Sequence, residues 1–158
     1  MKILYGDLLE MADAGKIDVL VHGCNCFCTM GKGIAKQIRM LYPSAYLADC
    51  ATRYGDRTKL GSYTTASVVR NAQILTIVNA YTQFDYRGEQ PKVNYDAIRS
   101  AFRKIKQEFS GQRIGYPKIG AGLAGGDWGT IQKIIEEELA GEDHTLVLLY
   151  KTEGETNE

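Results

Sequence analysis

Apolar residues come in short bursts along this chain, separated by glycines and polar turns, and the bursts alternate between strand and helix spacing. Residues 2–5 (KILY) predict a strand that Gly6-Asp7 closes with a turn or a helix cap. A brief helical turn follows over residues 8–14 and stops at Gly15. Residues 19–22 (VLVH) read as a second strand, apolar enough to be buried on both faces and therefore near a sheet centre. From Gly33, the residues Ile34, Ile38 and Leu41 fall at helical spacing, and Tyr42-Pro43 ends that helix because a residue before proline avoids the helical region. Ser44 then reads as the cap of a further helix through Ala45, Leu47, Ala48 and Ala51, which fades over residues 53–55.

The second half continues the alternation. Residues 61–69 alternate in an edge-strand pattern, Arg70-Asn71 turns the chain, and the apolar run 73–80 (QILTIVNA) pairs back on it as a hairpin. Residues 81–92 (YTQFDYRGEQPK) are polar and aromatic, the longest irregular stretch, and loops of that length in a compact domain are usually functional. Asn94 caps a helix whose Ile98, Phe102, Ile105 and Phe109 make one apolar face, and Gly111 stops it. A strand over 113–119, a glycine-rich loop over 120–126, a helix over 128–139 and a strand over 145–151 complete the domain. The polar residues 152–158 read as a disordered tail. Strands alternating with helices, plus one hairpin, predict an α/β domain over residues 1–151 with a mixed sheet covered on both faces.

Composition narrows the function classes. Lys and Arg total 19, as do Asp and Glu, so the net charge is zero, which argues against affinity built on neutralising many nucleic-acid phosphates. No apolar run is long enough to span a membrane and residues 1–10 lack a signal-peptide layout, so a cytoplasmic protein without membrane partners is expected. The four cysteines (Cys24, Cys26, Cys28, Cys50) are expected to be reduced thiols.

The chemistry concentrates in two loops of one type. Gly31-Lys32-Gly33 follows the strand at 19–22 and opens a helix, and the 120–126 loop repeats that order. A strand, a glycine turn and a helix present unpaired backbone N–H groups and a positive helix end to an anion. Two such loops on neighbouring strands suit a diphosphate, since ligands of open α/β sheets gather at the carboxyl ends of strands. The first loop lacks the GxxxxGK[ST] spacing of a P-loop. The second matches GxGxxG, but the chain has only one further strand, too little for a dinucleotide-binding half-domain. The alternative is that the glycines only make tight turns.

Taken together, Gly6-Asp7-Leu8, the run 21–25 (VHGCN), the run 31–35 (GKGIA) and the run 117–125 (PKIGAGLAG) resemble a macro domain from end to end. The HxCNC loop is most similar to the ADP-ribose 1''-phosphate phosphatases of yeast and phage. The resemblance implies a three-layer α/β/α fold with a mixed central sheet of roughly six strands and a pocket for ADP-ribose or its 1''-phosphate. It implies that Asp7, beside Leu8, accepts from the adenine amino group and that Asn25 contacts the distal ribose. Gly31, Lys32, Gly33 and Ile34, with Gly120, Ala121, Gly122, Leu123, Ala124 and Gly125, would hold the diphosphate and distal ribose. Asp7 also reads as a helix cap and Asn25 as a turn residue.

The same resemblance makes His22 the candidate general acid or base, against the alternative of a satisfied core histidine. Asp127 opens the last helix as a cap or as a group positioning water. Lys32 is suited to neutralising phosphate charge, and Gln83, Phe84 and Tyr86 to closing over the adenine or ribose. The spacing His22-x-Cys24-x-Cys26-x-Cys28 is tighter than that of ordinary zinc sites, so no metal is expected, and no cofactor is implied. Ala35-Lys36 replaces the acidic residue of macro domains that release ADP-ribose from acidic side chains, and Ala124 replaces the aspartate of another hydrolase branch. The expected activity is a monomeric phosphatase acting on ADP-ribose 1''-phosphate. Removal of ADP-ribose from modified proteins or nucleic acids, and non-catalytic ADP-ribose reading, are the alternatives.

Overall fold

A computed structural model describes residues 1–149, and the expected tail at 152–158 lies outside the described residues. The strands are β1 (Lys2–Tyr5), β2 (Val19–Cys24), β3 (Tyr63–Arg70), β4 (Gln73–Tyr81), β5 (Ile114–Tyr116) and β6 (His144–Leu148). The helices are α1 (Leu8–Asp13), α2 (Gly33–Leu41), α3 (Pro43–Cys50), α4 (Tyr95–Phe109) and α5 (Trp128–Glu138). The strands form one sheet in the order β1-β6-β5-β2-β4-β3. All neighbours are parallel except the β3–β4 hairpin, so the sheet is mixed and β3 is an edge. The carboxyl ends of β1, β6, β5, β2 and β4 therefore share one end of the sheet.

Alternation along the strands sends side chains into two separate cores. Val19, Val21, Val78, Ile114, Tyr116 and Leu146 pack with the apolar faces of α4 and α5. Leu20, Leu75, Ile77 and Val147 pack on the opposite side with α1, α2 and α3. Helices thus cover both faces of the sheet, the three-layer α/β/α arrangement. The side chains of Asp7, Asn94 and Asp127 accept from the first-turn amides of α1, α4 and α5, as the sequence predicted. Among the described residues, no helix is long and apolar enough to cross a membrane.

Several boundaries differ from the sequence reading, two of them for a local reason. Helix α3 starts at Pro43 rather than at a Ser44 cap, because proline is preset for the first helical position and Tyr42 occupies the cap position without a side-chain bond. Strand β5 covers 114–116 rather than 113–119: Pro117, which has no N–H to give a ladder, opens a tight turn closed by the Ile119 N–H on its carbonyl at 2.7 Å. The amino ends of β2 and β5 are tied by Asp18, whose carboxylate accepts from the backbone N–H, Nε and Nη2 of Arg113 at 2.8 to 3.0 Å. That pairing holds the Asp18 carboxyl below its ordinary range. Asp18→Ala is expected to lower the unfolding free energy by about 1 kcal/mol, read from urea denaturation.

Candidate functional site

A cleft of about 560 Å³ opens at the carboxyl ends of the central strands, a size suited to a nucleotide-like ligand. The loops after β2 and β5 form facing walls, and the loop after β4 adds Thr82, Gln83, Tyr86, Gln90 and Lys92. Of the residues expected to hold ligand, Asn25, Gly31, Lys32, Gly33, Ile34, Gly120, Gly122, Leu123 and Ala124 line the cleft. A Cβ on Gly33 would lie 3.8 Å from Leu123 Cδ1, so the two glycine loops meet.

Local chemistry sets each wall. Asn25 folds the first loop: its Oδ1 accepts from the Phe27 N–H at 2.8 Å and its Nδ2 donates to Thr29 Oγ1 at 2.7 Å. Gly33 enters α2 with φ of +58°, a conformation glycine adopts without strain. In the second loop the Gly126 N–H reaches back to the Gly120 carbonyl at 2.7 Å, and a Cβ on Gly126 would sit 2.6 Å from that oxygen. The β4 loop is stitched to the same wall, because the Lys92 N–H donates to the Ala124 carbonyl and Gln90 Nε2 to the Leu123 carbonyl, at 2.7 and 2.8 Å.

The two helix ends behind these loops are not equivalent. Asp127 caps α5, accepting from the Thr130 N–H and hydroxyl at 2.9 and 2.7 Å, bonds that hold its carboxyl below the ordinary range. The start of α2 has no side-chain cap. The N–H groups of Gly33, Ile34 and Ala35 find no acceptor among the described residues, nor do those of Gly122, Leu123 and Ala124 across the cleft. All six residues line the cleft. Lys32, Lys92 and Lys118 stand on the same walls, so the cavity is built for an anion.

Other expected site residues lie elsewhere. Asp7 has Oδ1 committed to the N–H groups of Leu9 and Glu10 and, with the buried Leu8, stands at the end of β1 outside the cleft lining, as do Ala121 and Gly125 in the second loop. Asp127 is exposed and off the cleft wall. Gln83 and Tyr86 line the cleft, whereas Phe84 packs edge-on against Phe27 with the Arg57 guanidinium over its ring.

His22, the candidate general acid or base, is not among the residues that line the cleft. Its ring is fully buried under the cleft, shares a 2.6 Å hydrogen bond with Asn79 Oδ1 on the paired strand, and lies within 3.8 Å of Cys24 Sγ. Burial lowers its pKa from 6.5 to about 4, only partly opposed by the Asn79 bond. The neighbouring thiol is inert, since burial first and the nearby Asp49 carboxyl second push the Cys24 pKa well up.

The sequence reading missed Lys92, Lys118, Thr82 and Asp49 on the cleft wall. The long irregular loop signalled Lys92. Asp49 was legible from helical spacing, since Ala45 and Asp49 lie one turn apart on α3 behind the capping Tyr42, all of them buried.

Because the folded His22 binds a proton less readily than the unfolded chain, its contribution to stability is full above pH 6.5. It is lost as pH falls from 6.5 towards 4, a loss of about 3 kcal/mol. Comparing thermal melts of wild type and His22→Gln across that window is expected to show a shallower acid slope in the variant.

Comparisons with known proteins agree with this architecture. A family profile described as Macro domain matches residues 21–135. An uncharacterized 17.5 kDa protein of Enterobacteria phage T4 is 34% identical over 142 residues, covering 86% of this chain and 88% of the phage protein. The DNA ADP-ribosyl glycohydrolase of Mycobacterium tuberculosis is 30% identical over 133 residues, covering 81% of this chain, which spans 35% of that relative's length. The ADP-ribose 1''-phosphate phosphatase of Aspergillus oryzae is 41% identical over 46 residues, 29% of this chain and 21% of that protein. Among solved structures, the macrodomain of Mycobacterium tuberculosis DarG superposes with a TM-score of 0.72 at 21% identity, covering 95% of this chain and 98% of that one. With the profile spanning most of its length and the phage relative aligned almost throughout, the chain belongs to the Macro domain family.

Proposed function

We propose that the cleft binds ADP-ribose and that the chain hydrolyses the bond at the 1'' position of the distal ribose, with ADP-ribose 1''-phosphate as substrate. The observation that carries this reading is the convergence of three unpaired N–H groups from each glycine loop, with Lys32, Lys92 and Lys118, on one cavity. Two facing donor sets match the two phosphates of a diphosphate. The names of the mycobacterial and fungal relatives point to ADP-ribose derivatives as well.

In this reading the diphosphate lies between the loops. Adenine extends toward Asp7 and Leu8 at the end of β1, where Asp7 Oδ2 is left by the helix cap to accept from the amino group. The distal ribose lies toward Asn25 and the β4 loop. Water adds to phosphorus, the bond from phosphorus to O1'' breaks, and the sugar oxygen leaves with a proton as the hydroxyl of ADP-ribose. His22 serves as a positioning residue that holds the end of β2 beneath the cleft, and Asp127 fixes the exit of the second loop.

A second reading, release of ADP-ribose from DNA, is favoured by the 133-residue likeness to the glycohydrolase against 46 residues for the phosphatase. Parallel assays separate the two: phosphate release from ADP-ribose 1''-phosphate, and ADP-ribose release from an ADP-ribosylated oligonucleotide. Phosphate release is the expected result, and its absence alongside activity on the oligonucleotide assigns the second reading. Gly126→Ala, which drives a Cβ against the Gly120 carbonyl, is expected to weaken ADP-ribose binding at least roughly tenfold by calorimetry. Unchanged affinity would separate the second loop from the diphosphate.

A further inference from the structure

Among the described residues, Asp49 supplies the only carboxylate on a wall that carries three lysines and six amide donors without an acceptor. It is 1% exposed. Its Oδ1 accepts from the Tyr81 hydroxyl at 2.8 Å, while its Oδ2 is buried with no hydrogen-bond partner among the described residues. The contacts around it secure the backbone and leave that oxygen alone. The Asp49 carbonyl accepts from Thr52 Oγ1 at 2.6 Å and from Cys28 Sγ at 3.4 Å, and Lys59 Nζ donates to Thr52 Oγ1 at 2.9 Å. Burial pushes the Asp49 pKa up, opposed by the Tyr81 bond and the Lys59 charge.

A buried acceptor left without a donor is destabilising, and such groups in folded proteins call for a partner. A phosphate oxygen cannot be that partner, because it is itself an acceptor and carries like charge. A hydroxyl can. Sheet order separates Asp49 from Asp7: Asp49 bonds the last residue of β4, which lies beyond β2, whereas Asp7 ends β1 on the far side of β5 and β6. In the ADP-ribose reading, with adenine toward Asp7 and the diphosphate between the β2 and β5 loops, the remaining sugar would fall on the Asp49 side of the cleft.

We propose that Asp49 is a substrate-contacting, specificity-determining residue whose Oδ2 accepts a hydrogen bond from a distal-ribose hydroxyl, selecting nucleotides that carry a second sugar beyond the diphosphate. The proposal rests on the ADP-ribose reading above.

Calorimetry with ADP-ribose and with ADP tests it, since ADP lacks that sugar. Asp49→Asn keeps the shape and an oxygen for Tyr81 but turns an N–H toward the ligand. ADP-ribose affinity is expected to fall at least roughly tenfold while ADP affinity stays within about twofold, which also shows that the variant is folded. As a measurement that does not depend on the variant, an ADP-ribose analogue with hydrogens in place of its distal hydroxyls is expected to bind wild type at least roughly tenfold more weakly than ADP-ribose does. Equal weakening of both nucleotides in the variant, or no change in either, overturns the assignment while leaving the ADP-ribose reading intact. Failure of wild type to bind ADP-ribose overturns the reading itself, and the assignment with it.

Discussion

An amide N–H inside a folded protein needs an acceptor, and six of them at the mouth of this sheet have none within the described chain. The fold concentrates them there. Because β5, β2 and β4 are adjacent and parallel, their exits share one end of the sheet, and two short loops with glycines at positive φ can face each other across it. A shift of either strand to an edge would carry one donor set away from the other. The Asp18–Arg113 ties at the opposite end of β2 and β5, and the His22–Asn79 bond between β2 and β4, hold the three strands in the register that the cleft requires.

Much of this arrangement was legible in the sequence because it is encoded locally. The capping side chains of Asp7, Asn94 and Asp127, the turn at Asn71 and the glycines before α2 and α5 each act within a few residues of themselves. What stayed hidden depends on contacts between distant segments. His22 reads like a residue at a strand exit, yet the Asn79 that satisfies it is 57 residues away, and its enclosure follows from the packing of the sheet. The free oxygen of Asp49 depends in the same way on Tyr81, 32 residues on. The difference between the two glycine loops was only half visible: the Asp127 cap could be read from the chain, but its consequence could not. The Asp127 cap occupies a first-turn amide of α5, whereas the start of α2 has no side-chain cap.

Net charge says little about the site for a related reason. A balance of zero describes the whole chain, whereas a ligand meets only the groups on one wall. Several cations are occupied elsewhere: Arg99 and Arg103 on α4 are paired with glutamates on α5, and Arg87 with Asp85. The lysines of the cleft stand among free amides instead. Lys92 Nζ is held by the Tyr86 carbonyl, a neutral partner at 2.8 Å, so its charge remains available to an anion.

The position of His22 bears on how the end of β2 is held beneath the cleft. Burial lowers the pKa of this enclosed ring to about 4, partly opposed by its bond to Asn79. Its hydrogen bond to Asn79 fixes the final turn of β2, and so the direction in which Asn25 and the first glycine loop leave the sheet. The amide Nδ2 of Asn79 is spent on the Ala45 carbonyl and Thr64 Oγ1, at 2.9 and 3.1 Å, so the same unit reaches α3 and β3. Catalytic advantage in such a site would come from donors held in place before substrate arrives, which is where preorganised amides exceed mobile water. The buried imidazole is bonded across the two strands that lead into those loops.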